Sequence, residues 1–183
     1  MKNIHVQAQK DHITSLCTAS PIQALTELVW NALDADAFDV KIDVVQNQLG
    51  GIEAIRVTDD GLGINALQAE KHFGNLGGSW KRDKNKTQLS GRVLHGSKGK
   101  GRFKAFALGN RVEWRTTIQT ESGLRSFVLT GKADDPSLFT LDDSPTPGPA
   151  SGTEIMITDI RNSLGTLLDT PWAVQQMASN FAL

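Results

Sequence analysis

Cysteine is nearly absent: Cys17 is the only one in 183 residues. That excludes a disulfide scaffold and a zinc site built from cysteines alone. An excess of one charge sign is also lacking. Lys and Arg number 19 and Asp and Glu 20, a net charge of −1, so no global imbalance points to nucleic acid or to a membrane surface. No apolar run approaches the roughly eighteen residues of a membrane span. The opening Met1-Lys2-Asn3-Ile4-His5-Val6-Gln7 contains no apolar core of a secretory leader. A cytoplasmic protein without a membrane partner is the expectation. Internal repeats are missing too, which removes the solenoid architectures.

What is there is unevenly spread. Hydrophobic residues make up 39% and charged residues 21%, enough for a packed core. One domain over residues 1–170 is expected, with 171–183 opening a helix that leads onward. Nine of the 19 basic residues lie between Lys81 and Lys104, opposed only by Asp83. Eleven of the 17 glycines lie between Gly50 and Gly101. Glycine lets backbone N–H groups approach a ligand and lysine supplies countercharge, so this stretch suits an anion. A soluble surface loop of the same composition is the plainer alternative.

Local patterns predict the elements. Ser20-Pro21 reads as an N-cap followed by proline in the first turn of a helix running to about Ala37. Phe38–Val44 and Ile52–Thr58 alternate and read as a hairpin around a turn at Asn47–Gly51. Ala66–His72 reads as a short helix. Residues 73–101 have no sustained period, which in a compact domain marks a lid or a disordered segment. Arg102–Leu108 reads as a helix ended by Gly109. Arg111–Thr120 and Leu124–Thr130 read as strands. The proline-rich, acidic 134–150 reads as loop with one short strand at Leu138–Leu141. Thr153–Ile160 reads as a last strand, and Thr170-Pro171 opens a final helix. The sum is an α+β two-layer sandwich, a mixed and mostly antiparallel sheet with helices on one face.

Four short motifs carry the chemistry. Glu27, Asn31 and Asp34 fall at i, i+4 and i+7 and share a helix face. That face is either an ordinary solvated stripe or the wall of a pocket. An amide oxygen is a hard, neutral ligand suited to Mg²⁺, and a carboxylate beside it can deprotonate water. Asp59-Asp60-Gly61-Leu62-Gly63 follows a strand. An aspartate there can accept a hydrogen bond from an exocyclic amine, and the glycines let a planar ring approach, although Asp-Gly is also a common turn pair. Gly96-Ser97-Lys98-Gly99-Lys100-Gly101 opens a helix, and its free N–H groups suit phosphate oxygens. It is neither a Walker A loop, because Ser97-Lys98 is in reverse order, nor a dinucleotide fingerprint, because position 104 is lysine. Gly152-Thr153 enters a strand, where a threonine hydroxyl can hydrogen-bond an aspartate or a water.

In order, Glu27/Asn31, Asp59/Gly61/Gly63, Gly96/Gly99/Gly101 and Gly152/Thr153 resemble the E-x-x-x-N, D-x-G-x-G, G-x-x-G-x-G and G-T motifs of the GHKL superfamily. That superfamily includes the B protein of DNA gyrase, the ninety-kilodalton heat-shock chaperones, MutL, the Morc proteins and the sensor histidine kinases. The resemblance covers about residues 20–160. It implies a Bergerat fold with a long mobile lid at about 73–101, binding ATP and Mg²⁺. By that resemblance Asp59 accepts from the adenine amine, with Thr153 assisting through water, and Gly61 and Gly63 make room for the base. Asn31 holds the metal, Gly96, Lys98, Gly99, Lys100 and Gly101 cradle the phosphates, and Glu27 is the general base. Asp34 is expected behind these groups. Lys104 reads either as a phosphate contact or as a solvated helix residue. Asp60 reads as turn chemistry, and His95 as structural.

The charges fit this reading. A triphosphate brings about four negative charges, of which one Mg²⁺ neutralises two, and the basic lid suits the remainder. The glutamate at position 27 favours an ATPase acting as a conformational or dimerisation switch. A protein kinase catalytic domain and a non-hydrolysing nucleotide sensor are the alternatives. The resemblance to gyrase- and MutL-like members, in which a following domain supplies a lysine to the γ-phosphate, implies weak hydrolysis by this domain alone. Gly77–Lys81 and Gly101–Phe106 are nearer the Morc type, which brings in a nucleic-acid or immunity role and leaves the client unnamed.

Overall fold

The computed structural model describes residues 10–74, 85–95, 100–148, 150–161, 164 and 171–181. Of the expected lid, 75–84 and 96–99 lie outside the described residues. The first described element is a short helix, α1 (Lys10–Leu16), that sequence patterning does not announce. It has seven residues and little apolar periodicity, and it is held by packing: Ile13 and Leu16 lie against the core and Cys17 is buried in it. Burial pushes the Cys17 thiol pKa up.

Helix α2 (Pro21–Asp34) starts where Ser20-Pro21 predicts. The Ser20 hydroxyl accepts the N–H of Gln23 at 3.3 Å. The helix stops three residues before the expected Ala37, because Asp36 adopts φ +63°, a left-handed conformation that ends helices. Ile22, Ala24, Leu25, Leu28 and Ala32 are its buried apolar face. Val29 and Leu33, beside that face, are half-buried.

Strands β1 (Val40–Gln46) and β2 (Ile52–Asp59) form the expected antiparallel hairpin. Its turn is closed by Asn47, whose Oδ1 accepts the N–H groups of Leu49 and Gly51, both at 3.0 Å. Helix α3 (Ala66–Gly74) follows. Residues 102–108, expected as one helix, form the four-residue α4 (Gly101–Lys104) and then a 3-10 turn over Ala105–Ala107. Gly109 belongs to β3 (Gly109–Thr120), which pairs with β4 (Gly123–Lys132).

The acidic, proline-rich stretch is the largest departure from expectation. It forms β5 (Asp135–Pro147), thirteen residues rather than the four of Leu138–Leu141. Proline cannot donate to a ladder and is tolerated where one side of a strand is unpaired. β5 is such an edge, and its pairing with β4 slips register twice. Strand β6 (Gly152–Ile160) and helix α5 (Pro171–Ser179) are the last described elements.

The six strands run in the order β1-β2-β6-β3-β4-β5, and every pairing among the described residues is antiparallel. Helices pack on one side, giving an α+β fold consistent with the Bergerat arrangement. Ile55 and Val57 of β2, Ile155 and Ile157 of β6, and Val112 and Trp114 of β3 alternate onto the buried face. They meet Leu25 and Leu28 of α2 and Phe106.

The topology positions the motifs. Because β6 inserts between β2 and β3, Asp59 lies opposite Thr153 and Thr153 lies opposite Thr116. Three residues far apart in sequence thus form one row across three strands at one end of the sheet.

Candidate functional site

The row begins with Asp59. Its Oδ1 accepts the N–H of Gly61 at 2.9 Å and of Thr153 at 3.2 Å. Burial dominates these bonds and pushes the carboxyl pKa up to about 6, with the neighbouring Asp60 charge adding to the rise. Thr153 is buried, its hydroxyl 3.5 Å from that of Thr116, which accepts the N–H of Ile64 at 2.6 Å. Thr116 is fully buried, and sequence alone does not single it out from the other threonines of its strand.

The glycines of this end serve the protein's own packing. A Cβ at Gly61 would come within 2.7 Å of the Ala35 carbonyl oxygen, and one at Gly63, where φ is +68°, within 2.2 Å of that of Thr117. Gly152 has φ +138° and would meet the Asp59 carbonyl oxygen at 2.0 Å. Backbones pass closer here than any side chain permits. Asp60 turns away from the row. Its carboxylate accepts the N–H groups of Phe38 at 2.7 Å and Asp39 at 2.8 Å, which fastens the entry of β1 to the exit of β2 and lowers its pKa.

The second half of the site is the polar face of α2. Gly101 opens α4 directly against it: a Cβ there would lie 3.0 Å from Glu27 Oε2 and 3.1 Å from Asn31 Nδ2. Glu27 and Asn31 are therefore brought to the last glycine of the G-x-x-G-x-G motif, which is distant from both in sequence. Lys104, one turn on, donates to Glu27 Oε1 at 2.7 Å, so it is neither simply solvated nor isolated. Asp34 is 4% exposed and accepts the backbone N–H of His95 at 2.8 Å. The His95 ring stacks on Trp30 of α2, centroids 4.2 Å apart and planes 12° apart. Lys100 is exposed. Gly96, Lys98 and Gly99 lie outside the described residues. α4 is only four residues long, so its dipole is small.

The approach to the motif is anchored by a residue absent from the sequence-based expectations. Asp36 is buried and accepts three hydrogen bonds, from Leu89 N at 2.9 Å, Ser90 N at 3.0 Å and Ser90 Oγ at 2.6 Å. Burial opposes its ionisation, but these bonds win and hold its pKa well below the ordinary carboxylate range. Arg92 adds a bond to the Ala37 carbonyl at 2.6 Å. The signal available in sequence is an aspartate just past a helix end, where short polar side chains tolerate left-handed backbone. At the other border, Phe73 and Phe103 join Trp114 and Phe139 in an aromatic cluster, and the Arg102 guanidinium lies 4.3 Å from the Phe103 ring centroid. Burial lowers the Arg102 pKa to about 10.

A cleft of about 230 Å³ opens beside the Glu27–Lys104 pair, walled by Thr26, Trp30, His95 and Asn180. The donor chemistry fits a magnesium nucleotide, since the Asn31 amide would offer a hard, neutral oxygen to the cation. No helix among the described residues is long and apolar enough to cross a membrane.

Similarity to known proteins agrees with this geometry. The chain is 27% identical over 164 residues to "Putative type II restriction enzyme HgiDII" of Herpetosiphon aurantiacus, covering 85% of this chain and 25% of that protein. It is 28% identical over 141 residues to the DNA mismatch repair protein MutL of Aquifex pyrophilus, covering 77% of this chain and 30% of the relative. A 52-residue stretch is 44% identical to MutL of Aquifex aeolicus (strain VF5), 28% of this chain and 12% of that one. The chain thus spans less than a third of the length of each of these relatives. Residues 19–142 match the family described as histidine kinase-, DNA gyrase B-, and HSP90-like ATPase, and the chain belongs to that family of ATP-binding, GHKL-type ATPase domains.

Proposed function

We propose that this domain binds ATP with Mg²⁺ between the β2–β6 end of the sheet and the polar face of α2, and hydrolyses it to drive a conformational or dimerisation switch. Asp59 accepts from the adenine amine, and Thr153 assists through a water. Glu27 deprotonates the attacking water. Gly101, with Gly96, Lys98, Gly99 and Lys100, contacts the phosphates. Asn31 would hold the metal, which would supply charge neutralisation at the phosphates.

The observation that carries this reading is the close approach of Gly101 to both Glu27 and Asn31. It supports the reading by bringing a carboxylate, an amide and the last glycine of the motif together, while Asp59 ends β2. The relatives give the switch a setting. They include proteins named for restriction and for DNA mismatch repair, so we read this domain as the nucleotide-driven part of a DNA-directed machine.

Phosphate release by the wild type and by Glu27→Ala tests the assignment. Loss of a general base costs about a hundredfold or more in turnover, while calorimetric binding of ATP–Mg²⁺ is retained. Equal turnover by the two proteins would remove Glu27 from the mechanism.

A further inference from the structure

The Glu27–Lys104 ion pair joins the first and third motifs across 77 residues of sequence. We propose that Lys104 is a positioning residue that holds Glu27 in reserve. Its ammonium occupies the carboxylate while no triphosphate is bound, and passes to the terminal phosphoryl group when one arrives. This rests on the ATP-site reading above and deepens it by naming how the base is kept idle.

The geometry supports an exchange rather than a fixed strut. The Nζ–Oε1 distance is 2.7 Å, so one of the two carboxylate oxygens is engaged by the ammonium. The two side chains are 27% and 31% exposed, which keeps their attraction modest and lets a more highly charged competitor take the lysine. A lysine head on four methylenes can swing between partners, where a planar guanidinium would be tied to one.

The surroundings indicate the competitor. Lys104 is at the end of the single turn that Gly101 opens, and Gly101 abuts both Glu27 and Asn31. The cleft beside the pair, about 230 Å³, is smaller than the roughly 300–1,000 Å³ of pockets that take a whole small-molecule ligand. It suits the end of a phosphate chain. A triphosphate reaches it one phosphoryl group further than a diphosphate does. Without a shared cation, that group would also meet the bare charge of Glu27.

The test is a double-mutant cycle read by calorimetry. Affinities for ADP and for a non-hydrolysable ATP analogue, each with Mg²⁺, are measured for wild type, Glu27→Gln, Lys104→Met and the double variant. If the ammonium must leave Glu27 to meet the phosphate, Glu27→Gln tightens analogue binding about two- to fivefold more with Lys104 present than with methionine there. ADP affinity shows no such coupling, and Lys104→Arg keeps part of it.

A lysine that merely shields Glu27 and stays paired gives the opposite order. The gain is then larger in the Lys104→Met background, where the repulsion is unscreened. That order, or equal coupling for ADP and the analogue, would overturn the proposal. Absence of any nucleotide binding by the wild type would instead overturn the ATP-site reading beneath it.

Discussion

Asp59 and Asp60 are neighbours with opposite fates. Asp60 is exposed and hydrogen-bonded by two backbone N–H groups, so its charge is favoured. Asp59 is half-buried at the end of β2, and desolvation outweighs its two N–H donors, raising its pKa to about 6. A carboxyl raised in the folded state stabilises the fold most when protonated. That contribution is full below the unfolded value near 3.8 and is lost as pH rises through about 6. The charge that suits an adenine amine is thus held at a cost in stability. On the proposed reading, Asp59→Asn removes that cost and weakens the adenine contact. Its urea midpoint should exceed the wild type's at pH 7, with the gap closing as pH falls from about 6 to about 4. ATP affinity should drop by about 1–3 kcal/mol, the cost of mispairing a buried donor. A pH-independent gap would show that Asp59 is not the titrating group.

At the scale of elements, segment 85–95 has little regular structure, and among the described residues its firmest attachment to the end of α2 is Asp36. Three donors converge on a buried, ionised carboxylate, and the residue itself sits at φ +63°. Asp36→Ala leaves two backbone N–H groups unpaired and puts alanine in a left-handed conformation. A loss of about 2–3 kcal/mol in urea unfolding is expected, with faster amide exchange at Leu89 and Ser90. Its contribution is present above the unfolded carboxyl pKa and is lost on acidification, the reverse of Asp59. Unchanged exchange at both amides would mean that the segment is held elsewhere.

The same scale explains what the sequence can disclose. α2 and the β1–β2 hairpin carry local signals that suffice: a serine cap before proline, strict alternation, an Asx turn at Asn47. β5 does not. Its prolines and acids are those of a loop, and only its edge position, a property of the whole sheet, makes a strand of them. α1 likewise depends on the core that receives Ile13 and Leu16. The site divides the same way. The motifs of Glu27, Asn31, Asp59, Gly101 and Thr153 are visible as residue types at fixed spacing. Their meeting, the Lys104 pair and the Asp36 anchor arise from contacts between distant segments, for which spacing carries no information.

The whole molecule ties the candidate site to a single core. Asp59 ends a strand whose Ile55 and Val57 lie in the core, Thr153 begins one whose Ile155 and Ile157 do, and α2 supplies Leu25 and Leu28. A nucleotide spanning Asp59 and Asn31 would bridge β2 and α2 of that unit, and it cannot bind once they separate. Ligand binding must then stabilise against global unfolding and not only against local opening. At a hundred times the dissociation constant the linkage is about 2.7 kcal/mol. For a domain of this size that corresponds to about 5–10 °C in the midpoint of the main thermal transition. Differential scanning calorimetry with ATP analogue and Mg²⁺ should show that shift in the wild type and a smaller one in Asp59→Asn at the same ligand concentration. Binding that leaves the main transition unmoved would put the nucleotide on a part of the chain that unfolds by itself, and would detach the site from this core.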